Sequence, residues 1–209
     1  MRGRFGAIVF FLRTTLFAAL AAGIMVPTVA HAQFSDSYNF LKAVKDRDGD
    51  KVINLIGEPG TIINTRDSTT GETALHIVIA RRDAVWVNFL LGKGARPDIA
   101  DNKGTTPLML ATQLRFLDGV QLLLANGAQV DKANDRGETP LIRAVQLHDL
   151  AMVRFLIANG ANPDKADTLA GMSALDYAKR DTRSTAILSA LNAAKASKSA
   201  ASEVEGPKF

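Results

Sequence analysis

Gly104-Thr105-Thr106-Pro107-Leu108-Met109 is the stretch on which the reading of this chain turns, because close copies of it recur at a fixed step. Gly71-Glu72-Thr73-Ala74-Leu75-His76 precedes it by 33 residues, Gly137-Glu138-Thr139-Pro140-Leu141-Ile142 follows 33 later, and Gly171-Met172-Ser173-Ala174-Leu175-Asp176 follows 34 after that. A second marker keeps the same phase: Lys93-Gly94-Ala95, Asn126-Gly127-Ala128 and Asn159-Gly160-Ala161. Two independent markers in register define a repeated supersecondary unit, the sequence sign of a stacked array.

Each unit carries its own local instructions. Thr73, Thr106, Thr139 and Ser173 are placed to cap helices with a hydroxyl that accepts from a free backbone N–H. Pro107 and Pro140 take the first helical position, where a missing N–H costs nothing. Apolar clusters then mark a second helix: Phe89-Leu90-Leu91, Leu122-Leu123-Leu124 and Phe155-Leu156-Ile157. Gly94, Gly127 and Gly160 close that helix in the left-handed conformation. Polar, turn-rich stretches such as 131–136 lead into the next unit.

This pattern resembles the ankyrin repeat over about residues 37–192. The resemblance implies an all-α solenoid of paired antiparallel helices with hairpin-like finger loops, in about five units: 37–70, 71–103, 104–136, 137–170 and 171–192. The first unit is weak in pattern but offers Leu41 to Val44, Val52 to Ile56 and a closing Pro59-Gly60. Divergent ends suit repeats that face water on one side. After residue 192 the Ala/Ser/Lys-rich chain reads as a frayed or disordered tail, 193–209.

Two departures from the family pattern stand out. The helix-start histidine is present only as His76, with Met109, Ile142 and Asp176 at the equivalent places. The glycine that usually ends the first helix is replaced by Arg82, Arg115, His148 and Thr182, so another turn geometry is expected there.

Residues 1–32 read as an address. Arg2 and Arg4 open a run of apolar residues, Pro27 breaks it, and Ala30-His31-Ala32 presents small residues for cleavage between Ala32 and Gln33. The alternative is an uncleaved anchor, but Arg13 divides the apolar stretch that would have to cross a bilayer. A periplasmic or secreted location in a bacterium follows as an expectation, with no stable membrane insertion after cleavage. The formal charge of +4 owes three units to Arg2, Arg4 and Arg13, which leaves +1 for residues 33–209 and no overall electrostatic case for nucleic acid.

The chemistry inventory is short. There is no cysteine, and beyond residue 32 the histidines are His76 and His148. The family position of His76 implies a ring bonded to the backbone of an adjacent repeat, and His148 reads as a solvated turn residue. No metal site is expected. Asp46, Asp48 and Asp50 suggest part of a calcium loop, but its twelfth position would be Gly57, so a charged turn is the better reading. Nucleotide-binding and nucleophile-elbow fingerprints are missing. The expectation is a non-enzymatic binding module that needs no cofactor, a monomer with a protein partner.

By resemblance, that partner would meet the finger tips and first helices along a concave face. The finger tips are Thr69, Thr70, Asn102, Lys103, Asp135 and Arg136, joined by Glu72, Thr105, Glu138 and Met172. The helix ends contribute Ala80, Arg81, Gln113, Leu114, Gln146 and Leu147. Leu114 and Leu147 form either an apolar hot spot ringed by charge or packing beneath the turn; both readings stay open. Trp86 is assigned to core or convex surface. Two rival roles are a protective or structural one beside an exported envelope protein, and an effector delivered to another cell.

Overall fold

The repeat code becomes a regular succession of short helices in the computed structural model, which describes residues 28–57 and 62–204. The expected leader up to residue 27, the Pro59-Gly60 turn and residues 205–209 lie outside the described residues. The backbone separates into two units, residues 1–35 and 36–209, and the repeats occupy the second.

The helices pair along the chain. The first pair is α1 (Thr28–Asp46) and α2 (Gly49–Ile56), followed by α3 (Ala74–Ala80) and α4 (Ala84–Gly92). Next come α5 (Pro107–Gln113) with α6 (Leu117–Ala125), α7 (Pro140–Gln146) with α8 (Leu150–Ala158), and α9 (Ala174–Arg180) with α10 (Thr185–Val204). The first helices of successive units stack as α3, α5, α7 and α9, and the second helices close the layer behind them. Among the described residues the β content is one isolated antiparallel bridge, Ala166 to Ser173. The junction expected for cleavage, Ala32-Gln33, lies inside α1.

Helix starts follow the sequence code. Thr106 Oγ1 accepts from the Met109 N–H and Thr139 Oγ1 from the Ile142 N–H, both at 3.2 Å. Pro107 and Pro140 occupy the first turn. Behind the caps, one continuous apolar core runs from Phe40 to Leu191, with Leu75, Leu108, Leu141 and Leu175 repeating as its inner column. Each of these leucines is at most 5% exposed, so no unit can bury its apolar face without a neighbour.

The turn between the two helices of a unit differs from expectation. Arg82, Arg115 and His148 keep the left-handed conformation at φ 56°, 54° and 56°, and Arg47 joins them at 60°. The turn geometry of the glycine form is thus retained, at a cost of about 1 kcal/mol for each side chain. The N–H groups of Asp83, Phe116 and Asp149 return to the carbonyls of Val78, Ala111 and Ala144, which locks the turn around the strained residue. Only the last unit departs: Asp181 is extended and a 3₁₀ turn over Thr182–Ser184 takes its place.

The C-terminal boundary also differs. Helix α10 runs on to Val204, twelve residues beyond the end at 192 read from the sequence. Alanine and lysine are strong helix formers, and once Ile187 and Leu191 are buried against the array, extending the helix adds a hydrogen bond per residue. Lys195 Nζ reaches Asp164 Oδ1 at 2.8 Å, so this segment is tied back to the preceding finger loop.

Candidate partner-binding face

An aspartate or asparagine builds each finger. Asp101 Oδ1 accepts from the N–H groups of Lys103 and Thr105, both at 2.8 Å. Asp67 and Asn134 play the same part for the fingers before and after. The two arms of the finger then pair, with the Asp101 N–H on the Thr105 carbonyl at 2.9 Å. Fingers bond in series: the Asn102 N–H to the Thr70 carbonyl at 3.0 Å, Asp135 to Lys103 at 3.4 Å and Thr168 to Arg136 at 2.9 Å. This close stacking explains the glycine of the motif. A Cβ on Gly104 would stand 2.5 Å from the Asp135 backbone nitrogen, and its φ is +72°.

The candidate residues divide into free and engaged groups. Lys103 and Arg136 project from the finger tips as exposed cations whose side chains have no partner among the described residues. Asn102 is exposed but committed: its Oδ1 accepts from Arg66 Nη2 and its Nδ2 donates to the Thr69 carbonyl, both at 2.9 Å. Asp135 is exposed, Thr105 and Gln113 half-buried.

Two candidates are better described as structural. Glu138 is 9% exposed, with Oε2 accepting from Asn134 Nδ2 at 3.1 Å and Oε1 at 3.7 Å from Arg143 Nη1. Arg81 reaches back to the preceding unit, donating from Nη1 to the Val44 carbonyl at 2.7 Å. Its guanidinium also lies 5.4 Å from the centre of the Trp86 ring, itself half-buried and edge-on to Phe89. Leu114 is half-buried and packs against the core, which favours packing beneath the turn at that position. Leu147 is also half-buried, and its carbonyl accepts from Arg115 Nη2 at 2.5 Å.

The sequence reading passed over one column of this face. Ile77, Leu110, Arg143 and Tyr177 occupy the same place in successive first helices, all half-buried. Their signal was available as the fourth residue of each helix, where four different side chains share one position. The column changes from aliphatic in α3 and α5 to polar in α7 and α9. Arg143 Nη1 donates to Gln146 Oε1 at 3.1 Å, and the Tyr177 hydroxyl donates to Asp167 Oδ2 at 2.6 Å. That bond to the carboxylate pushes the phenol's pKa up. Burial alone would raise the Asp167 carboxyl, but hydrogen bonds from Tyr177 and from backbone N–H groups outweigh it and hold the carboxyl below its ordinary value. Gln146 is thus a partner of Arg143 and not a free contact.

The histidines have distinct positions. His76 is 1% exposed, and its Nε2 faces the Thr105 carbonyl of the next unit at 2.9 Å. A carbonyl only accepts, so Nε2 carries the proton and Nδ1 accepts from the Thr73 N–H at 3.1 Å. This is the adjacent-repeat bond that the resemblance implied. Burial lowers its pKa and keeps the ring neutral. His148 is exposed as read, yet it is bonded through Nε2 to Asp181 of the following unit. Asp46, Asp48 and Asp50 make the charged turn, with Asp48 Oδ1 capping α2 through the Lys51 N–H at 3.0 Å. No cluster with the makings of a metal site occurs among the described residues, nor is any described helix long and apolar enough to cross a membrane.

Comparison with known proteins converges on the same architecture. A family model described as ankyrin repeats (3 copies) matches residues 40–134 and 120–199. Ankyrin repeat protein FPV031 of fowlpox virus is 40% identical over 58 residues, which is 28% of this chain and 17% of that protein. Ankyrin repeat protein FPV232 of the same virus is 35% identical over 75 residues, 36% of this chain and 15% of its own. Oxysterol-binding protein homolog 1 of Saccharomyces cerevisiae is 32% identical over 79 residues, 36% of this chain and 7% of its own. The chain therefore aligns with less than a fifth of the length of these relatives. With stacked helix pairs, left-handed closing glycines and serially bonded fingers all in one register, this chain belongs to the ankyrin-repeat family.

Proposed function

We propose that the protein is an exported adaptor that binds one protein partner through its fingers and first helices. The observation that carries this reading is the division of labour on that face. Asn102 and Arg81 are consumed in holding repeats together and Glu138 in bracing its own finger, while the side chains of Lys103 and Arg136 stand at successive finger tips with no partner among the described residues. Side chains projected from a rigid array bind with little ordering cost, because the scaffold has already fixed the backbone that carries them. Arrays of this kind present extended binding surfaces.

The positively charged apolar leader and the small residues before Gln33 support export, which N-terminal sequencing of the mature protein would check: a start at Gln33 is expected. For binding, in-cell crosslinking with mass spectrometry compares wild type with the Lys103→Glu, Arg136→Glu double variant. One dominant partner, lost in the variant, is expected. Many weak partners that survive the charge reversal would replace the adaptor with a protective role.

A further inference from the structure

Methionine alone carries the sulfur of this chain, which has five methionines and no cysteine. Beyond residue 32 these are Met109, Met152 and Met172. Met109 in α5 is 0% exposed and Met152 in α8 is 1% exposed, so the core closes off both thioethers. Met172 differs from them. It stands in the last finger, directly before the Ser173 cap of α9, and is half-buried.

The backbone and the side chain of Met172 have separate tasks. Its carbonyl accepts from the Asp167 N–H at 3.0 Å, which pairs the arms of the last finger. Its sulfur accepts from Arg180 Nη1 at 3.0 Å, at an exposed place. Arg180 ends α9, is itself exposed, and makes no other hydrogen bond or ion pair among the described residues. One strongly charged donor is therefore spent on a thioether, which is a weak acceptor. Adding an oxygen to the sulfur would remove that mismatch, because oxidation turns the apolar side chain into a polar one with an oxygen for the guanidinium to hold.

We propose that Met172 is a site of oxidation by peroxides, and that Arg180 holds the sulfoxide that results. In this step a sulfur lone pair attacks one oxygen of hydrogen peroxide and the O–O bond breaks. The departing hydroxide takes the proton from the transferred oxygen and leaves as water. The sulfur is oxidised by two electrons and the peroxide is reduced by two. Oxidation of a core methionine disrupts packing, whereas at Met172 the new oxygen has a cation within reach and solvent beside it. The product is of the kind that methionine sulfoxide reductases return to the thioether, so the change is reversible. The site goes beyond the adaptor reading and does not depend on it, since it requires only an exposed sulfur and its neighbouring guanidinium.

The test treats the purified, folded protein with dilute hydrogen peroxide and follows its tryptic peptides by mass spectrometry. Each methionine falls in a separate peptide: 104–115 for Met109, 144–154 for Met152 and 166–179 for Met172. Peptide 166–179 is expected to gain one oxygen at least about tenfold faster than the other two, because susceptibility follows exposure. In urea the three rates are expected to converge. Peptide 104–115 or 144–154 oxidised as fast as 166–179 in the folded protein would overturn the site. A lead of Met172 that persists unchanged in urea would also overturn it, by placing the selectivity in the local sequence. The part of Arg180 is read from melting midpoints before and after oxidation, in wild type and in Arg180→Ala. Each shift is taken relative to Met172→Leu treated in the same way, which subtracts damage elsewhere. Wild type is expected to keep its midpoint, and Arg180→Ala to fall by about 2–4 °C as the sulfoxide loses its partner. Equal shifts in the two proteins would overturn the role of Arg180.

Discussion

His76 joins two repeats through one ring, holding the Thr73 N–H with Nδ1 and the Thr105 carbonyl with Nε2. Met109 and Ile142 stand at the same place in later units and make no such bond, which makes methionine the informative replacement. His76→Met should cost about 1–2 kcal/mol at neutral pH, as buried polar groups lose their partner. Because burial lowers the folded-state pKa below the unfolded value of about 6.5, the unfolded chain binds the proton more readily. Stability from this ring is complete above that value and declines as pH falls from it toward the folded pKa. Urea denaturation between pH 7.5 and pH 5, values of about that range, should show this pH-dependent loss in wild type and a smaller one in His76→Met. At the strained turns the sign reverses. Arg82→Gly should raise stability by roughly 0.5–1 kcal/mol, since the side chain it removes makes no hydrogen bond or ion pair among the described residues and φ is +56°. A lower unfolding midpoint would mean that Arg82 has a structural partner after all.

The finger is the element in which local and long-range requirements meet. Gly104 and Gly127 both have positive φ, at +72° and +83°, but their surroundings differ. An added Cβ on Gly127 has open space, whereas on Gly104 it would strike the next finger at the Asp135 nitrogen. Gly127→Ala should cost about 1 kcal/mol from backbone conformation alone. Gly104→Ala should cost at least about 2–3 kcal/mol, because the finger-to-finger bond from Asp135 to Lys103 has to part as well. Paired denaturation curves would separate the two, and equal losses would show that finger stacking contributes little.

For the whole array, stability depends on neighbours. Helix α10 covers α8 and α9 with Ile187 and Leu191, at 4% and 0% exposure. Ending the chain after Arg180 uncovers that apolar face, while ending it after Ala196 leaves both residues in place. The shorter protein should lose hydrogen-exchange protection first in α8 and α9, with α3 to α6 retaining more, as expected when each unit contacts only adjacent ones. Uniform loss along the array would instead indicate a single cooperative unit.

The sequence by itself determined the fold class, the phase of the repeats, the capping residues and the closing glycines. These depend on interactions within a few residues: a hydroxyl on an N–H three positions on, a ring that fixes φ, a missing Cβ. It also located the fingers and the free cations Lys103 and Arg136. Only the tertiary structure decided which neighbours were committed. Glu138 and Arg81 read as surface residues in one unit, yet are occupied by Asn134 and Arg143, and by the Val44 carbonyl. The left-handed turns also required it. Local sterics disfavour Arg82, Arg115 and His148 there, and the surrounding backbone bonds hold them in place regardless. The extension of α10 beyond 192 likewise depends on Leu191 anchoring a weakly patterned, alanine-rich segment against the core. The commitment of Arg81 and the anchoring of Leu191 lie beyond a local code because they depend on groups about one repeat away, which folding alone brings together. Glu138 and the left-handed turns are instead held by bonds within their own finger or turn, which the residue pattern does not announce.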